Sequence, residues 1–586
     1  MDYSIKIGGE AGQGIQTIGD TLSRICSRSG YHVFTNQDYE SRIRGGHNFY
    51  QIRFADKPVL APRDVIDIII ALDNESIILH EKELADNGLI IYDSSTLKKK
   101  YEKENFLDIP FVKLAVEHGG SKIMENTVAV GAVLGMLGMK MDILREIIGE
   151  VFRKKGESVI QANIKSAQAG YDYAVKECPM CSFSMAPSSK PKLMVAGNDA
   201  LGFGAIASGC KFYAAYPMTP STGIMNYVAS KSKEFGIIVE QAEDEIAAIN
   251  MALGASYAGV RAMTGTSGGG FALMVEGLSL AGMIEMPVVI ALGQRPGPAT
   301  GFPTRTEQGE LLFALHTAHG EFPRVVFAPG TPEQALFLVN KAFDLAEKYQ
   351  IPAIILTDQL LADSQWTFDA FDLSKLKYND YRLSGEEFRR LSEYKRFAFT
   401  ETGVSPLGVP GEAKHVVVVD SDEHDEEGHI VEDADTRIKM VQKRLLKKLP
   451  LIREEIEPPL LYGDEKPEIV LAGWGSMYGV MREAVDELSK DKSIAMLHFS
   501  EIAPFPATDK FDYLSLLQNA KLTLCIEQNS LGQFALFMKM QTGYEFNGLI
   551  NRYDGRPFAV ETLLGEINAH IGRLYGTHAG MVSGMR

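Results

Sequence analysis

The sequence predicts an α/β protein built from three tandem α/β domains, and three observations carry that prediction. A short apolar strand, a glycine turn and a helical pattern follow one another at three places. Tyr3 to Ile7 leads into GGEAGQG and a helical pattern from about Ile15. Leu193 to Ala196 leads into GNDALGFGAIASG, and Ile469 to Ala472 into GWGSMYGV. That order opens a βαβ unit; the segments are too dissimilar to be repeats. The chain has 586 residues, beyond the ~250–300 at which single cores stop growing. Its composition, 45% hydrophobic, 23% charged and 9% aromatic, is globular and excludes a disordered or fibrous protein.

The connectors divide the chain into expected segments: a first domain at 1–175, a linker at 176–191, a second domain at 192–370, an insertion at 371–461 and a third domain at 462–586. The linker, KECPMCSFSMAPSSKP, is rich in Pro and Ser and lacks periodicity. The insertion contains TGVSPLGVPGEAKH, an acidic run at 420–435 (DSDEHDEEGHIVEDAD) and a basic amphipathic helix around Arg437 to Lys448. Acidic loop before basic helix reads as a solvated insertion that pairs with itself or with a neighbouring chain. His424 and His429 among those carboxylates suggest a metal, but a flexible charged loop is the simpler expectation.

A net charge of −17 and a pI near 5.3 argue against a nucleic-acid or anionic-membrane binder. No apolar run approaches the ~18–20 residues needed to span a bilayer. MDYSIKIGGE does not look like a signal peptide, so the expected location is cytoplasmic. The five cysteines stand at 26, 178, 181, 210 and 525, an odd count with no disulfide framework. A closed zinc or iron–sulfur site needs about four ligands, so Cys178 and Cys181 (CPMC) read as reduced cysteines in a connector.

GGEAGQG places Gly12 and Gly14 between a strand and a helix, where backbone N–H groups and a helix N-terminus approach a phosphate. The spacing departs from G-x-G-x-x-G, and neither Asp38 nor Glu40 follows a clear strand as a ribose partner. The loop fits a ligand-free tight turn as well as a phosphate loop. Downstream, SRIRGGHN brings Arg42, Arg44 and His47 around two glycines, an anion-handling pattern.

The second domain carries more chemistry. AAYPMTPST puts Tyr216, Pro217, Thr219, Pro220, Ser221 and Thr222 on a proline-punctuated loop after a strand. IIVEQAEDEIAAINMALGASYAG reads as a strand from Ile237 to Val239, an acidic turn and a helix starting near Glu245. Acidic residues at a helix start ordinarily serve the macrodipole or the cap, which is the plain reading of Glu243, Asp244 and Glu245. AMTGTSGGGFALM follows, and QRPGPATGFPTRTEQGE offers Arg295 and Arg305.

YPMTPST, DEIAA, TSGGGFALM and GPATGFPTRTEQGE, in that order, resemble the pyrimidine-binding domain of 2-oxoacid:ferredoxin oxidoreductases. Residues 1–175 resemble that family's gamma domain, here fused in front of alpha. The region from 462, with EIAPFP and IEQNSLGQF, resembles its transketolase C-terminal-like domain, and GVSPLGVPG…DEHDEEGH resembles the 2-oxoglutarate-type alpha subunit. The resemblance implies a thiamine diphosphate enzyme that decarboxylates a 2-oxoacid, passes electrons singly to iron–sulfur centres and ferredoxin, and transfers the acyl group to coenzyme A. By position, Glu245 looks like the carboxylate that activates the cofactor's aminopyrimidine. Thr219 and Arg305 look like substrate-carboxylate ligands, with Tyr216, Pro217 and Pro220 shaping their loop; an arginine fork suits a carboxylate. Met218 replaces the isoleucine expected there, a volume-conserving swap.

The resemblance also implies coenzyme A binding at Gly12, Gly14, Arg42 and Arg44, with Lys122 a further candidate. The sequence holds no G-D-G followed by N-N and no cluster-spaced cysteines. A beta subunit carrying the diphosphate pocket, Mg²⁺ and a [4Fe–4S] cluster is therefore expected, in an (alpha-beta)₂ heterotetramer. Two rivals stay open: a non-catalytic nucleotide- or flavin-binding subunit, and the same reaction on pyruvate or another 2-oxoacid.

Overall fold

A computed structural model describes residues 1–41, 45–178, 183 and 190–575. It is a mixed α/β structure with three sheets, and the chain clusters into two compact units. Among the described residues no helix is long and apolar enough to cross a membrane.

The first unit comprises 1–195 with 364–371 and 558–562. Its eight-stranded sheet runs, edge to edge, Phe106–Asp108, Leu84–Tyr92, Ile66–Ala71, Asp2–Ala11, Gly45–Ala55, His32–Asp38, Gln365–Phe368 and Leu193–Ala196. Strand Asp2–Ala11 is parallel to Ile66–Ala71 and antiparallel to Gly45–Ala55. Both of its faces are covered, with Ile5 and Ile7 buried on one and Ser4 and Lys6 on the other, as expected for a central strand packed on two sides. The strand runs through Gly8 and Gly9, leaving the turn to Gly12 and Gly14, both at positive φ. Helix Ile15–Arg28 then buries Ile15, Ile18, Leu22 and Ile25 on one face, at helical spacing.

Leu193–Ala196, read from the sequence as the opening strand of the second domain, takes the edge of this first sheet instead. The Lys192 N–H donates to the Ser27 carbonyl and its ammonium pairs with Asp369; these bonds hold the segment to the first unit. Cys178 is disulfide-bonded, which corrects the expectation of a reduced thiol there; Cys181 lies outside the described residues.

The second unit holds two sheets. The seven-stranded one runs Glu501–Ala503, Val325–Phe327, Pro352–Asp358, Val288–Gln294, Arg261–Ser267, Cys210–Ala215 and Ile238–Gln241, all parallel except its first strand. The five-stranded one runs Leu460–Gly463, Ile494–Phe499, Ile469–Trp474, Leu522–Glu527 and Gly548–Asn551, with Leu460–Gly463 antiparallel. The ends of the parallel strands in the larger sheet feed the four motif loops, the usual site of ligands in α/β sheets.

The insertion differs from the loose loop expected. Residues 423–431 form a hairpin, with Asp425 N–H donating to His429 O and Val431 N–H to Glu423 O. His424 is fully buried against Phe397, 3.9 Å between ring centroids. The self-pairing is present: Glu423 binds Arg437 and Arg444. The basic stretch, helical from Ala434 to Glu455 with a π-turn at Gln442–Lys447, also turns cations inward. Lys443 and Lys448 both donate to the buried Glu285 carboxylate, and Arg396 donates to the Ile284 and Glu285 carbonyls. Burial alone raises a carboxyl, but these three cations hold Glu285 well below the usual range.

Removing one member of a buried charge cluster leaves the others uncompensated, at about 3–5 kcal/mol. Glu285→Gln is therefore expected to lower stability by roughly that amount, read by urea unfolding. A change under about 1 kcal/mol would show that the lysines find solvent or shed their protons without cost.

Candidate active site

The three neighbouring acids at 243–245 are given three different places. Glu243 is exposed. Asp244 is the N-cap of helix Glu245–Tyr257, its carboxylate accepting from the Ala247 N–H at 2.7 Å. Glu245 is 3% exposed and turned inward. Capping thus falls to Asp244, and the plain reading of Glu245 as a helix-start carboxylate does not explain its burial. The Thr266 hydroxyl donates to Glu245 Oε1 at 3.4 Å, a weak bond for a buried carboxylate.

Strand Arg261–Ser267 ends at Ser267, and Gly268, Gly269 and Gly270 form the first turn of helix Gly268–Leu273. A Cβ on Gly270 would collide with Glu245 Oε1 and Thr266 Oγ1, and one on Gly268 with Glu310 Oε1. A Cβ on Gly269 would meet nothing nearer than 3.9 Å. The turn is therefore bare backbone with a carboxyl group against each end, and at its middle a Cβ would be in van der Waals contact with the Ala299 carbonyl. The Met218 sulfur approaches Thr266 Oγ1 at 3.9 Å, which brings the YPMTPST loop to the same place.

That loop is fixed from beneath. The Ser221 N–H and hydroxyl both donate to Met218 O, and Asn198 Nδ2 donates to Pro220 O at 3.0 Å. Arg295 Nη1 donates to Thr219 O at 2.8 Å. Arg295 thus has a positioning task on the loop's backbone. Tyr216 is exposed, Pro217 and Thr219 are half-buried, and Pro220 is buried.

Arg305 is half-buried, with Nη1 donating to the Thr304 carbonyl and hydroxyl at 3.4 and 3.2 Å. Its segment is clamped on both sides. The Thr306 N–H donates to Gly555 O at 3.3 Å, and its hydroxyl accepts from the Leu360 N–H at 3.3 Å. Gln308 and Gln528 exchange backbone and side-chain bonds at 2.7 and 3.0 Å, and Gln308 Nε2 donates to Trp474 O. The landmark IEQNSLGQF supplies this clamp: Glu527, fully buried, accepts from the Trp474 indole, Asn529 and the N–H groups of Phe534 and Ala535. Asp358, bonded by Ser476 and Thr306, supports the same segment, and burial pushes its carboxyl up to about 6.

Sequence reasoning missed Glu310, although it ends the quoted GPATGFPTRTEQGE motif. It also missed Asn126 in the first unit. Its side chain fills the space that a Cβ on Gly14 would need, at the N-terminus of helix Ile15–Arg28. Lys122 is exposed just upstream. His47 Nε2 lies 2.8 Å from His80 Nε2, and His80 Nδ1 lies 2.9 Å from Glu83. Arg42 and Arg44 lie outside the described residues.

Comparisons with known proteins show what the chain is similar to. Residues 203–443 match the family profile described as "Pyruvate flavodoxin/ferredoxin oxidoreductase, thiamine diP-bdg", and residues 4–173 match "Pyruvate ferredoxin/flavodoxin oxidoreductase". A 2-oxoacid:ferredoxin oxidoreductase alpha subunit of a Sulfolobus species is 33% identical over 96% of each chain. The 2-oxoglutarate oxidoreductase subunit KorA of Mycobacterium tuberculosis is 28% identical over 86% of this chain and 82% of its own. Among solved structures, the 2-oxoglutarate:ferredoxin oxidoreductase of Magnetococcus marinus, with 2-oxoglutarate, coenzyme A and succinyl-CoA bound, superposes with a TM-score of 0.89. It is 31% identical over 97% of this chain and 99% of that one.

The division of labour between the neighbouring acids is measurable without any ligand. Asp244→Ala removes the cap and is expected to cost about 1 kcal/mol. Glu245→Gln replaces a buried carboxylate by a neutral isostere and is expected to leave stability unchanged or raised. Denaturant unfolding of both variants decides; a loss in Glu245→Gln as large as in Asp244→Ala would make Glu245 a structural residue.

Proposed function

Because the chain belongs to the 2-oxoacid:ferredoxin oxidoreductases, as an alpha subunit, we propose that it activates thiamine diphosphate and grips a 2-oxoacid, with 2-oxoglutarate as substrate and coenzyme A as acyl acceptor. The observation that carries this reading is the buried Glu245 carboxylate against the bare turn Gly268–Gly270. A buried carboxylate with one weak donor calls for a further partner. These residues fit the pyrimidine end of thiamine diphosphate.

When bound, the cofactor supplies a carbon nucleophile and an electron sink, the step that side chains cannot perform. Glu245 would hold or release a proton at the pyrimidine ring nitrogen. Thr219, on a loop fixed by Arg295 and Asn198, would donate its hydroxyl to the substrate, with Tyr216, Pro217 and Pro220 forming the rim. Arg305, on a segment anchored at Thr306 and Gln308, would take the C1 carboxylate with its fork. Rigid supports of this kind keep reacting groups in place. Coenzyme A would use the first unit, at Gly12, Gly14, Arg42 and Arg44, with Lys122 nearby.

A beta subunit would complete the site with the diphosphate pocket, Mg²⁺ and a [4Fe–4S] cluster, ferredoxin would accept the electrons, and an (alpha-beta)₂ assembly would result. The segments 1–175, 176–191, 192–370, 371–461 and 462–586 would serve as gamma-type domain, linker, pyrimidine-binding domain, connecting insertion and transketolase C-terminal-like domain.

Two variants of the complex reconstituted with its beta subunit test the roles. Glu245→Gln is expected to lower turnover by ~10²–10⁴-fold, the usual share of a general acid–base group. Arg305→Ala is expected to lower kcat/KM by about 10²-fold or more, equally for 2-oxoglutarate, pyruvate and 2-oxobutyrate, with only partial rescue by Arg305→Lys. A loss confined to 2-oxoglutarate would move Arg305 to the distal carboxylate. Near wild-type turnover of Glu245→Gln would remove its proposed role.

A further inference from the structure

The turn Gly268–Gly270 meets a second carboxyl group for which the roles above have no use. Glu310 stands at the start of helix Leu311–His316, but its side chain makes no cap bond. Its backbone N–H donates to Gln294 Oε1 at 3.1 Å, which fixes the residue in place. Oε1 lies against Gly268, so close that a Cβ at that position would force the Glu310 carboxyl to move. Oε2 is buried and has no hydrogen-bond partner. Ser267 Oγ, one residue before the turn, is likewise buried and unpartnered. Orphaned buried polar atoms are rare and call for an explanation such as a missing ligand. Here two of them border one bare backbone turn.

We propose that Glu310 is a second acid of this site, a neutral carboxyl that donates a hydrogen bond to an uncharged acceptor on the pyrimidine ring that Glu245 serves from the other end of the turn.

The assignment rests on the thiamine reading above and adds a residue to it. Its logic is one of complementarity. An ionised carboxylate in this position has no donor for Oε2, whereas a protonated one offers an O–H to whatever occupies the turn. The charged groups that face it are Glu307, from the extended stretch before it, and Arg295, from the end of strand Val288–Gln294. Glu245 lies against the same turn two glycines away. Burial first, and then the charge of Glu307, push the Glu310 carboxyl up to about 8, against the pull of Arg295. A carboxyl group kept neutral by its surroundings is a recurrent way to build a hydrogen-bond donor into a site.

The sign of the pH effect follows. Between the ordinary value of 4.5 and about 8 the folded chain keeps a proton that the unfolded chain has released. Stability from this residue therefore falls as pH rises through that window. Glu310→Gln abolishes the effect while keeping a donor; Glu310→Ala removes both.

Three measurements on the full chain and on its complex with the beta subunit decide. Infrared difference spectra of wild type against Glu310→Gln are expected to show a protonated carboxyl band at pH 7 that converts to carboxylate near pH 8. Thermal unfolding of Glu310→Gln is expected to gain on wild type as pH rises from 5 to 9. In the complex, calorimetric titration with thiamine diphosphate and Mg²⁺ is expected to show wild-type affinity falling about tenfold from pH 7 to 9. One net hydrogen bond has about that weight. Glu310→Gln should bind independently of pH over that range, and Glu310→Ala about tenfold more weakly throughout. A carboxylate band already present at pH 6, or Glu310→Ala binding as tightly as wild type, would overturn the assignment and leave the thiamine reading intact. Failure of thiamine diphosphate to bind the wild-type complex would overturn both.

Discussion

Everything proposed for this site depends on three residues having no side chains. At Gly268 and Gly270 a single methyl group would strike the carboxyl groups of Glu310 and Glu245, and at Gly269 it would touch the Ala299 carbonyl. Because the strand Arg261–Ser267 is buried along its whole length in the middle of a parallel sheet, the turn cannot retreat from these neighbours. The cost of that choice is local: glycine gives up about 0.5–1 kcal/mol relative to alanine in a regular element. What it gains is a rigid floor on which two buried acids meet from different helices.

A second constraint fixes the loop that carries Arg305 relative to that floor. The stretch from Thr304 to Glu310 has little regular structure, so its position has to be imposed. The reciprocal bonds of Gln308 and Gln528, with Trp474 and Gly555 as backbone acceptors, tie it to the smaller sheet of the second unit. The Gln294 amide ties its end to the larger sheet. Strand Glu501–Ala503 pairs with Val325–Phe327, so the two sheets of this unit share a hydrogen-bonded seam. Arg305 is therefore carried on a bridge, and a change at Gln528 or Trp474 acts on it without touching it.

Much of this was legible in the sequence because it is written in short-range patterns. The first and third strand–glycine–helix openings, the helix starting at Glu245 and the glycine turns all depend on neighbours within a few residues. What was not legible depends on long-range burial. Nothing local distinguishes Glu243, Asp244 and Glu245, yet one is exposed, one caps and one is buried. The run Arg437 to Lys448 reads as a solvated basic face, but Lys443 and Lys448 are buried because Glu285, some 160 residues earlier, waits for them. His424 looked like part of a charged loop until Phe397 covered it. Leu193–Ala196 has the pattern of an opening strand, and only pairing with a strand from 365–368 reveals it as an edge. Glu310 escaped notice because an exposed and a buried glutamate have the same letter.

The central claim is that this chain holds half of a thiamine site, the half that touches the pyrimidine. The most direct measurement is calorimetric titration of thiamine diphosphate and Mg²⁺ into the purified chain alone, and then into its mixture with the proposed beta subunit. The account predicts no saturable binding to the chain alone and one cofactor per chain in the mixture. Stoichiometric binding to the isolated chain, or equal weakness in both titrations, would contradict it.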